Sequence, residues 1–157
     1  MNTHEIKLFA MDVDGTLTDG KLYVGHNGEA MKAFHVKDGY GIVQLIEYNV
    51  IPAIITAKES EIVTRRAQEL GVREVWQGIS DKAEVLKMLS KKYQVSMGQI
   101  AFIGDDDPDC AAMELAGYSF APADASENTK KRAKIILTKK GGEGAVREAI
   151  DILLSQQ

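Results

Sequence analysis

The run Leu8-Phe9-Ala10-Met11, followed at once by Asp12-Val13-Asp14-Gly15-Thr16, constrains this chain more than any other stretch. A short unbroken apolar run that stops at a turn residue reads as a strand buried on both faces, inside a parallel sheet. In open α/β sheets ligands collect beyond the carboxyl ends of the strands. Asp12 and Asp14 therefore stand where chemistry is expected. Two carboxylates one residue apart repel each other unless a cation or a proton lies between them. Alone, the same residues also read as a solvated Asp-x-Asp-Gly turn, and the rest of the chain has to decide.

Downstream, apolar runs alternate with helical patterns, which is the signature of a parallel α/β sheet. After the first strand the pattern predicts strands over residues 51–56, 74–76, 100–104, 118–121 and 135–137. It predicts helices over 40–48, 59–70, 82–93, 109–115, 126–132 and 145–154. One segment breaks the alternation. Between Thr18 and Lys37 two short extended pieces, 21–24 and 30–36, are joined by Gly25-His26-Asn27-Gly28, a strong turn signal. This reads as a hairpin inserted directly after the acidic turn. It is too short to be a second domain, and nothing later offers a lid of ~50 residues or more. The 157 residues are thus expected to form one doubly wound, mostly parallel domain with a hairpin insertion at about 18–37 and no cap. A site that needs closing would have to borrow from another subunit.

Composition narrows the partners. A net charge of −4 gives no general attraction to nucleic acid or to a membrane surface. Residues 1–7 are mostly polar and show no signal peptide, and no apolar run approaches the ~20 residues needed to span a bilayer. The single cysteine, Cys110, excludes an internal disulfide and fits a reducing compartment. The expected location is the cytoplasm.

Three further features line up with the acidic pair. Thr56 ends the second predicted sheet strand, Lys82 opens a helix after Gly78-Ile79-Ser80-Asp81, and Gly104-Asp105-Asp106-Asp107-Pro108-Asp109 closes the apolar run from Ile100. Asp81 with Glu84 reads as a capping box. A cation in that first turn opposes the helix dipole by ~0.3–1 kcal/mol, so Lys82 reads either as facing an anion or as pointing to water. The Asp-rich turn at 105–109 could be an ordinary helix cap, yet two acidic clusters on one sheet edge suit a hard cation such as Mg²⁺. His4, His26 and His35 lack zinc-ligand spacing, and a Ser-His-Asp triad has no support. The chemistry that follows is phosphoryl transfer. An Asp nucleophile attacks phosphorus, Mg²⁺ offsets charge repulsion, a hydroxyl and a lysine hold phosphoryl oxygens, and a second carboxylate handles the proton.

These residues resemble a known family. Asp12-Val13-Asp14-Gly15-Thr16, Thr56, Lys82 and Gly104-Asp105-Asp106-x-x-Asp109 look like the four motifs of the haloacid dehalogenase superfamily of phosphotransferases. Asp12 through Gly20, Asp38-Gly39-Tyr40-Gly41-Ile42, Gln77-Gly78 and Gly141 through Glu148 resemble the capless 3-deoxy-D-manno-octulosonate 8-phosphate phosphatases, with sialic-acid-type 9-phosphate phosphatases similar in the same way. The resemblance implies a homotetramer in which the hairpins pack centrally and neighbours complete the sites. It implies Asp12 as nucleophile and Asp14 as acid/base. Mg²⁺ would be held by Asp12, the Asp14 backbone carbonyl and Asp105, with Asp106 and Asp109 near it. Thr56 and Lys82 would bind phosphate, and Arg66 would meet the sugar-acid carboxylate across a subunit interface.

The chain departs from the family at Ala57-Lys58, where octulosonate enzymes usually read Gly-Arg and nonulosonate enzymes Gly-Glu. Lys58 keeps the positive charge of a substrate-binding arginine without its bidentate fork, which favours the eight-carbon acid. The Gly-rich stretch at 141–144 reads either as a flexible cover for a neighbour's site or as a plain turn. A Mg²⁺-dependent sugar-acid phosphatase in cell-surface (lipopolysaccharide) sugar synthesis is the leading expectation. A broader small-metabolite phosphatase stands second. A phospho-acceptor signalling domain is the non-enzyme alternative, though receivers carry their aspartate on a middle strand, whereas Asp12 is on the first, and a water-activating Asp14 argues for turnover.

Overall fold

The structure, a computed structural model, describes residues 5–156; Met1 to His4, which include one of the histidines weighed above, and Gln157 lie outside the described residues. Six parallel strands form the sheet: β1 (Leu8–Met11), β4 (Ile51–Ile55), β5 (Glu74–Trp76), β6 (Ile100–Ile103), β7 (Tyr118–Ala121) and β8 (Ile135–Ile136). Their spatial order is β5-β4-β1-β6-β7-β8. The chain runs outward from β1 through β4 to β5, then crosses to β6 and runs outward the other way. The direction reverses between β1 and β6, and that switch point opens the crevice where such sheets bind ligands. The doubly wound parallel fold expected from the sequence is the fold observed.

Alternation along β1 divides the core. Phe9 and Met11 join a cluster with Ile42, Leu45, Val63, Ile150 and Leu153, so α1 (Val36–Glu47), α2 (Glu61–Leu70) and α6 (Ala145–Ser155) cover one face. Leu8 and Ala10 join Val85, Leu86, Leu89, Ala112 and Met113, so α3 (Lys82–Tyr93) and α4 (Cys110–Leu115) cover the other, with α5 (Glu127–Arg132) beside them. Every residue of β1 is fully buried, as a central strand with helices on both sides requires.

The hairpin is present, with β2 (Tyr23–Gly25) and β3 (Gly28–Met31) antiparallel and a bridge between Thr18 and Phe34 closing its base. Its strands are shorter than the predicted 21–24 and 30–36, and α1 starts at Val36, four residues before the predicted start. His35 caps that helix, its Nδ1 accepting from the Lys37 N–H at 3.1 Å. Gly39 lies inside α1, ahead of the predicted start, and Gly41 lies inside it as expected. A Cβ on Gly41 would stand 3.0 Å from Arg147 Cδ and 3.1 Å from Ile150 Cδ1 of α6, and one on Gly39 would stand 3.2 Å from Leu70 Cδ2 of α2, so close packing against α6 and α2 offsets their poor helix propensity. Elsewhere boundaries move by a residue or two: Ser60 and Ser126 cap α2 and α5 rather than join them, and residues 107–109 form a 3₁₀ turn ahead of α4.

The segment at 141–144 packs against the acidic turn of the same chain. Gly142 N–H donates to the Thr16 carbonyl at 3.1 Å, and Gly141 N–H donates to Asp124 Oδ1 at 3.0 Å. A Cβ on Gly141 would fall 1.8 Å from the Gly15 carbonyl oxygen, so this position braces the acidic turn by direct backbone contact. Gly141→Ala should therefore destabilise the protein by about 1–3 kcal/mol, read as a drop of several degrees in thermal midpoint; an unchanged midpoint would contradict this packing.

Asp38 presents a second buried constraint. It is 1% exposed, and its Oδ1 accepts from the Arg147 N–H in the first turn of α6 at 2.9 Å, while Oδ2 has no hydrogen-bond partner. Burial pushes its carboxyl up to about 6, against the pull of that N–H and of the His35, Arg66 and Arg147 charges. The folded state thus keeps a proton that the unfolded chain releases at its ordinary 3.8, so this group withdraws stability as pH rises from about 4 to about 6. Relative to Asp38→Asn, the native protein should lose up to about 3 kcal/mol across that window and nothing further above it. Urea unfolding of both proteins as a function of pH checks this; a stability difference that stays flat from pH 4 to 6 would refute it.

Candidate active site

Each motif group reaches the switch point from a strand end or a helix start. The ladder runs one residue past β1, with Asp12 N–H donating to the Ile103 carbonyl at 3.1 Å. The chain then turns sharply, and the Val13 carbonyl accepts from the N–H groups of Thr16, Leu17 and Thr18. Gly15 sits at φ +86°, and a Cβ there would lie 1.9 Å from Asp105 Oδ2. Only glycine satisfies both the left-handed backbone and the contact.

Lys82 opens α3, where Asp81 forms its half of the expected capping box by accepting from the Glu84 N–H at 3.1 Å. Lys82 is 4% exposed, and its Nζ donates to Asp12 Oδ1 at 2.8 Å and to Asp109 Oδ1 at 2.6 Å. The dipole penalty of ~0.3–1 kcal/mol for a cation in the first turn is small beside two charge-assisted bonds worth roughly 1.5–3 kcal/mol each. Burial alone disfavours the ammonium, but the Asp12 and Asp109 charges outweigh it and hold its pKa above that of an ordinary lysine. Of the two readings open for Lys82 in the sequence, the structure takes the one that faces anions.

Asp12, Asp105 and Asp109 bring one carboxylate oxygen each within 4.8 Å of one another. Burial, then the neighbouring Asp12, pushes Asp105 up to about 9. Burial and Asp12 also push Asp109 up to about 6, against the pull of Lys82. The chain's own charges thus favour a proton among these oxygens, and a hard divalent cation supplies the same compensation. The cluster contains no His or Cys, so its donors fit Mg²⁺ and do not suit zinc. Asp109 has little coordination left to offer. Its Oδ1 is on Lys82, and its Oδ2 accepts from the N–H groups of Asp105 at 2.9 Å and Asp106 at 3.3 Å. Asp106 is exposed and caps the following 3₁₀ turn through the Asp107 N–H.

Thr56 is buried at the end of β4, level with the motif turn by the register that pairs Met11 with Ile54. Lys58 is exposed in the loop beyond it and lines a cleft with Tyr23, Val24, Glu29 and Lys32 of the hairpin segment. Arg66 lines a different groove with Lys32, Phe34 and Arg65; its guanidinium lies 5.5 Å from the Phe34 ring centroid and pairs with Glu69 at 3.4 Å. The chain therefore gathers Asp12, Lys82, Asp105 and Asp109, and leaves Lys58 and Arg66 on two clefts that share Lys32.

Lys32 was missed in the sequence. Its side chain is 3% exposed, and Nζ donates to Asp14 Oδ1 at 2.6 Å and to Glu29 Oε2 at 2.9 Å. No motif spacing marks it. The available signal was a Glu29–Lys32 pair, three residues apart, in a hairpin read only for its turn.

Comparison with known proteins agrees with this geometry. Residues 46–150 match the model of the haloacid dehalogenase-like hydrolases. The chain is 42% identical over 152 residues to the 3-deoxy-D-manno-octulosonate 8-phosphate phosphatase of Salmonella typhi, covering 97% of this chain and 81% of that protein. The Escherichia coli K12 protein of the same name is 41% identical over the same shares. Among solved structures, the cobalt-bound deoxy-D-mannose-octulosonate 8-phosphate phosphatase of Haemophilus influenzae superimposes with a TM-score of 0.96 at 39% identity, covering 100% of this chain and 92% of that one. The Moraxella catarrhalis phosphatase, solved with magnesium, phosphate and the sugar acid, superimposes with a TM-score of 0.95 at 43% identity, covering 99% and 89%. With this identity over nearly its whole length, and with Asp12, Lys82 and Asp105 gathered at one strand edge, the chain belongs to the haloacid dehalogenase-like hydrolases, in the family of the 3-deoxy-D-manno-octulosonate 8-phosphate phosphatases.

Proposed function

We propose that this phosphatase releases phosphate from 3-deoxy-D-manno-octulosonate 8-phosphate through an aspartyl-phosphate on Asp12. The observation that carries the residue roles is the buried bridge from Lys82 to Asp12 beside Asp105. Asp12 attacks phosphorus, while Lys82 reduces the repulsion between its carboxylate and the incoming dianion and binds a phosphoryl oxygen together with the Thr56 hydroxyl. Asp14 gives its proton to the departing sugar oxygen and later takes one from the water that cleaves the aspartyl-phosphate. Asp12, the Asp14 carbonyl and Asp105 hold Mg²⁺, which when bound neutralises charge on the transferring phosphoryl group. Asp109 and Asp106 shape the loop that presents Asp105. Lys58 and Arg66 bind the sugar acid; Lys58 supports the eight-carbon acid by keeping a cation in the loop after Thr56.

The assembly is a homotetramer of single capless domains, with a neighbour's Arg66 completing each site. Support comes from Leu22, Val24 and Met31 on the hairpin segment and Val36 and Tyr40 beside it, all 57–78% exposed, an apolar surface of the kind that marks an interface. No described helix is long and apolar enough to cross a membrane. The cytoplasmic location rests on the lone Cys110 and its reducing compartment.

Phosphate release with Mg²⁺ from the octulosonate 8-phosphate, nonulosonate 9-phosphates and hexose phosphates should give the highest kcat/KM for the first; preference for a nine-carbon acid would reassign the substrate. Asp12→Asn should lower kcat by about 10⁴-fold or more, and EDTA should abolish turnover until Mg²⁺ is restored. Residual activity near the native level in Asp12→Asn would remove the nucleophile assignment. Val24→Asp, placed on the exposed hairpin face, should give monomers by light scattering and raise KM; a fully active monomer would end the shared-site reading.

A further inference from the structure

The hairpin returns Lys32 to the acid/base carboxylate, and no role above uses it. Lys32 Nζ lies 2.6 Å from Asp14 Oδ1 and 2.9 Å from Glu29 Oε2, with only 3% of its side chain exposed. Glu29 is itself anchored, because Ser60 Oγ donates to its Oε1 at 3.0 Å. Ser60 caps α2 and its N–H donates to Gln77 Oε1 at 2.7 Å. A continuous polar line thus runs from the loop after β4, through the hairpin, to Asp14. A surface lysine would lose rotamer freedom for little return at such a place. Held between two carboxylates with its stem buried, this one is built in.

We infer that Lys32 is a positioning residue for leaving-group protonation, holding Asp14 by Oδ1 so that Oδ2 carries the transferred proton. The inference rests on Asp14 being the proton donor. In the first half-reaction the Asp12 oxygen–phosphorus bond forms as the phosphorus–sugar oxygen bond breaks. The electron pair stays on the sugar oxygen, which takes the proton from Asp14 Oδ2. Asp14 becomes a carboxylate during that transfer, and the charge that appears on it is met by an ammonium already in place. An interaction that strengthens as the transition state develops raises kcat, whereas one present equally throughout does not.

The test compares two substrates on the same enzyme sample, so that loss of folded protein cancels in the ratio. 3-Deoxy-D-manno-octulosonate 8-phosphate has an alkoxide leaving group that needs the proton; p-nitrophenyl phosphate releases a nitrophenolate that does not. Lys32→Met should lower kcat on the sugar phosphate by about tenfold or more, within the range general acid catalysis contributes, and on the aryl phosphate by less than about threefold. Glu29→Gln should shift the ratio the same way by a smaller factor, and Lys32→Arg should restore part of it. Asp14→Asn, run in parallel, separates the two readings. If Asp14→Asn changes the ratio and Lys32→Met lowers both substrates equally, the Lys32 inference is overturned and Asp14 keeps its role. If Asp14→Asn leaves the ratio unchanged, the donor assignment itself fails and Lys32 falls with it.

Discussion

The site depends on one buried ion triad, Lys82 between Asp12 and Asp109. Its three members come from the end of the central strand, the start of α3 and the loop after β6, so the triad ties together both halves of the sheet. Burying a cation costs several kcal/mol unless good geometry repays it, and two short charge-assisted bonds to separate carboxylates meet that condition. The same bonds let three carboxylates approach within 4.8 Å. Without the ammonium their mutual repulsion would open the loop. With it, the three share one small space, and Asp109 holds the loop by accepting from the Asp105 and Asp106 N–H groups.

Around that triad the fold acts as a set of fixed addresses. β4, β1 and β6 lie side by side, and Thr56 and Asp12 follow directly on the ends of β4 and β1, with Asp105 two residues past the end of β6. What stands nearest is the hairpin, which leaves the motif turn at Thr18, rejoins it by the bridge to Phe34 and brings back Lys32. The glycine segment at 141–142 supports the turn from the opposite direction. The insertion presents apolar residues outward and a lysine inward.

Much of this was legible in the sequence, because strong local signals and the fold agreed. β1, β5, β7 and α3 begin and end where apolar periodicity and caps place them, and Asp12, Lys82 and Asp105 meet as the strand-end argument requires. What was not legible depended on tertiary neighbours. Gly39 falls ahead of the predicted helix until Arg66 and Leu70 of α2 are seen lying against it. Asp38 gave no sign that it would cap a helix more than a hundred positions later. Lys32 drew no reading of its own, since nothing local shows that its stem is buried. The segment at 141–144 offered flexibility as its obvious property, and contact with Gly15 and Thr16 removes it.

The strand order also dictates when the site can come into being during folding. Leu8 pairs on one side with Ile51 and on the other with Ile100, so the central strand has no partner close to it in sequence. Closing such long loops precedes any reward from pairing, which makes folding of this topology slow compared with helical bundles. On the ribosome β1 emerges first and waits for more than half the chain before β6 can flank it. Until then Asp12 and Asp105 belong to separate, hydrated segments, and the core strand carries an unsatisfied edge prone to wrong pairing. The carboxylate cluster is therefore among the last features to form, a late product of the long-range pairing that makes the sheet.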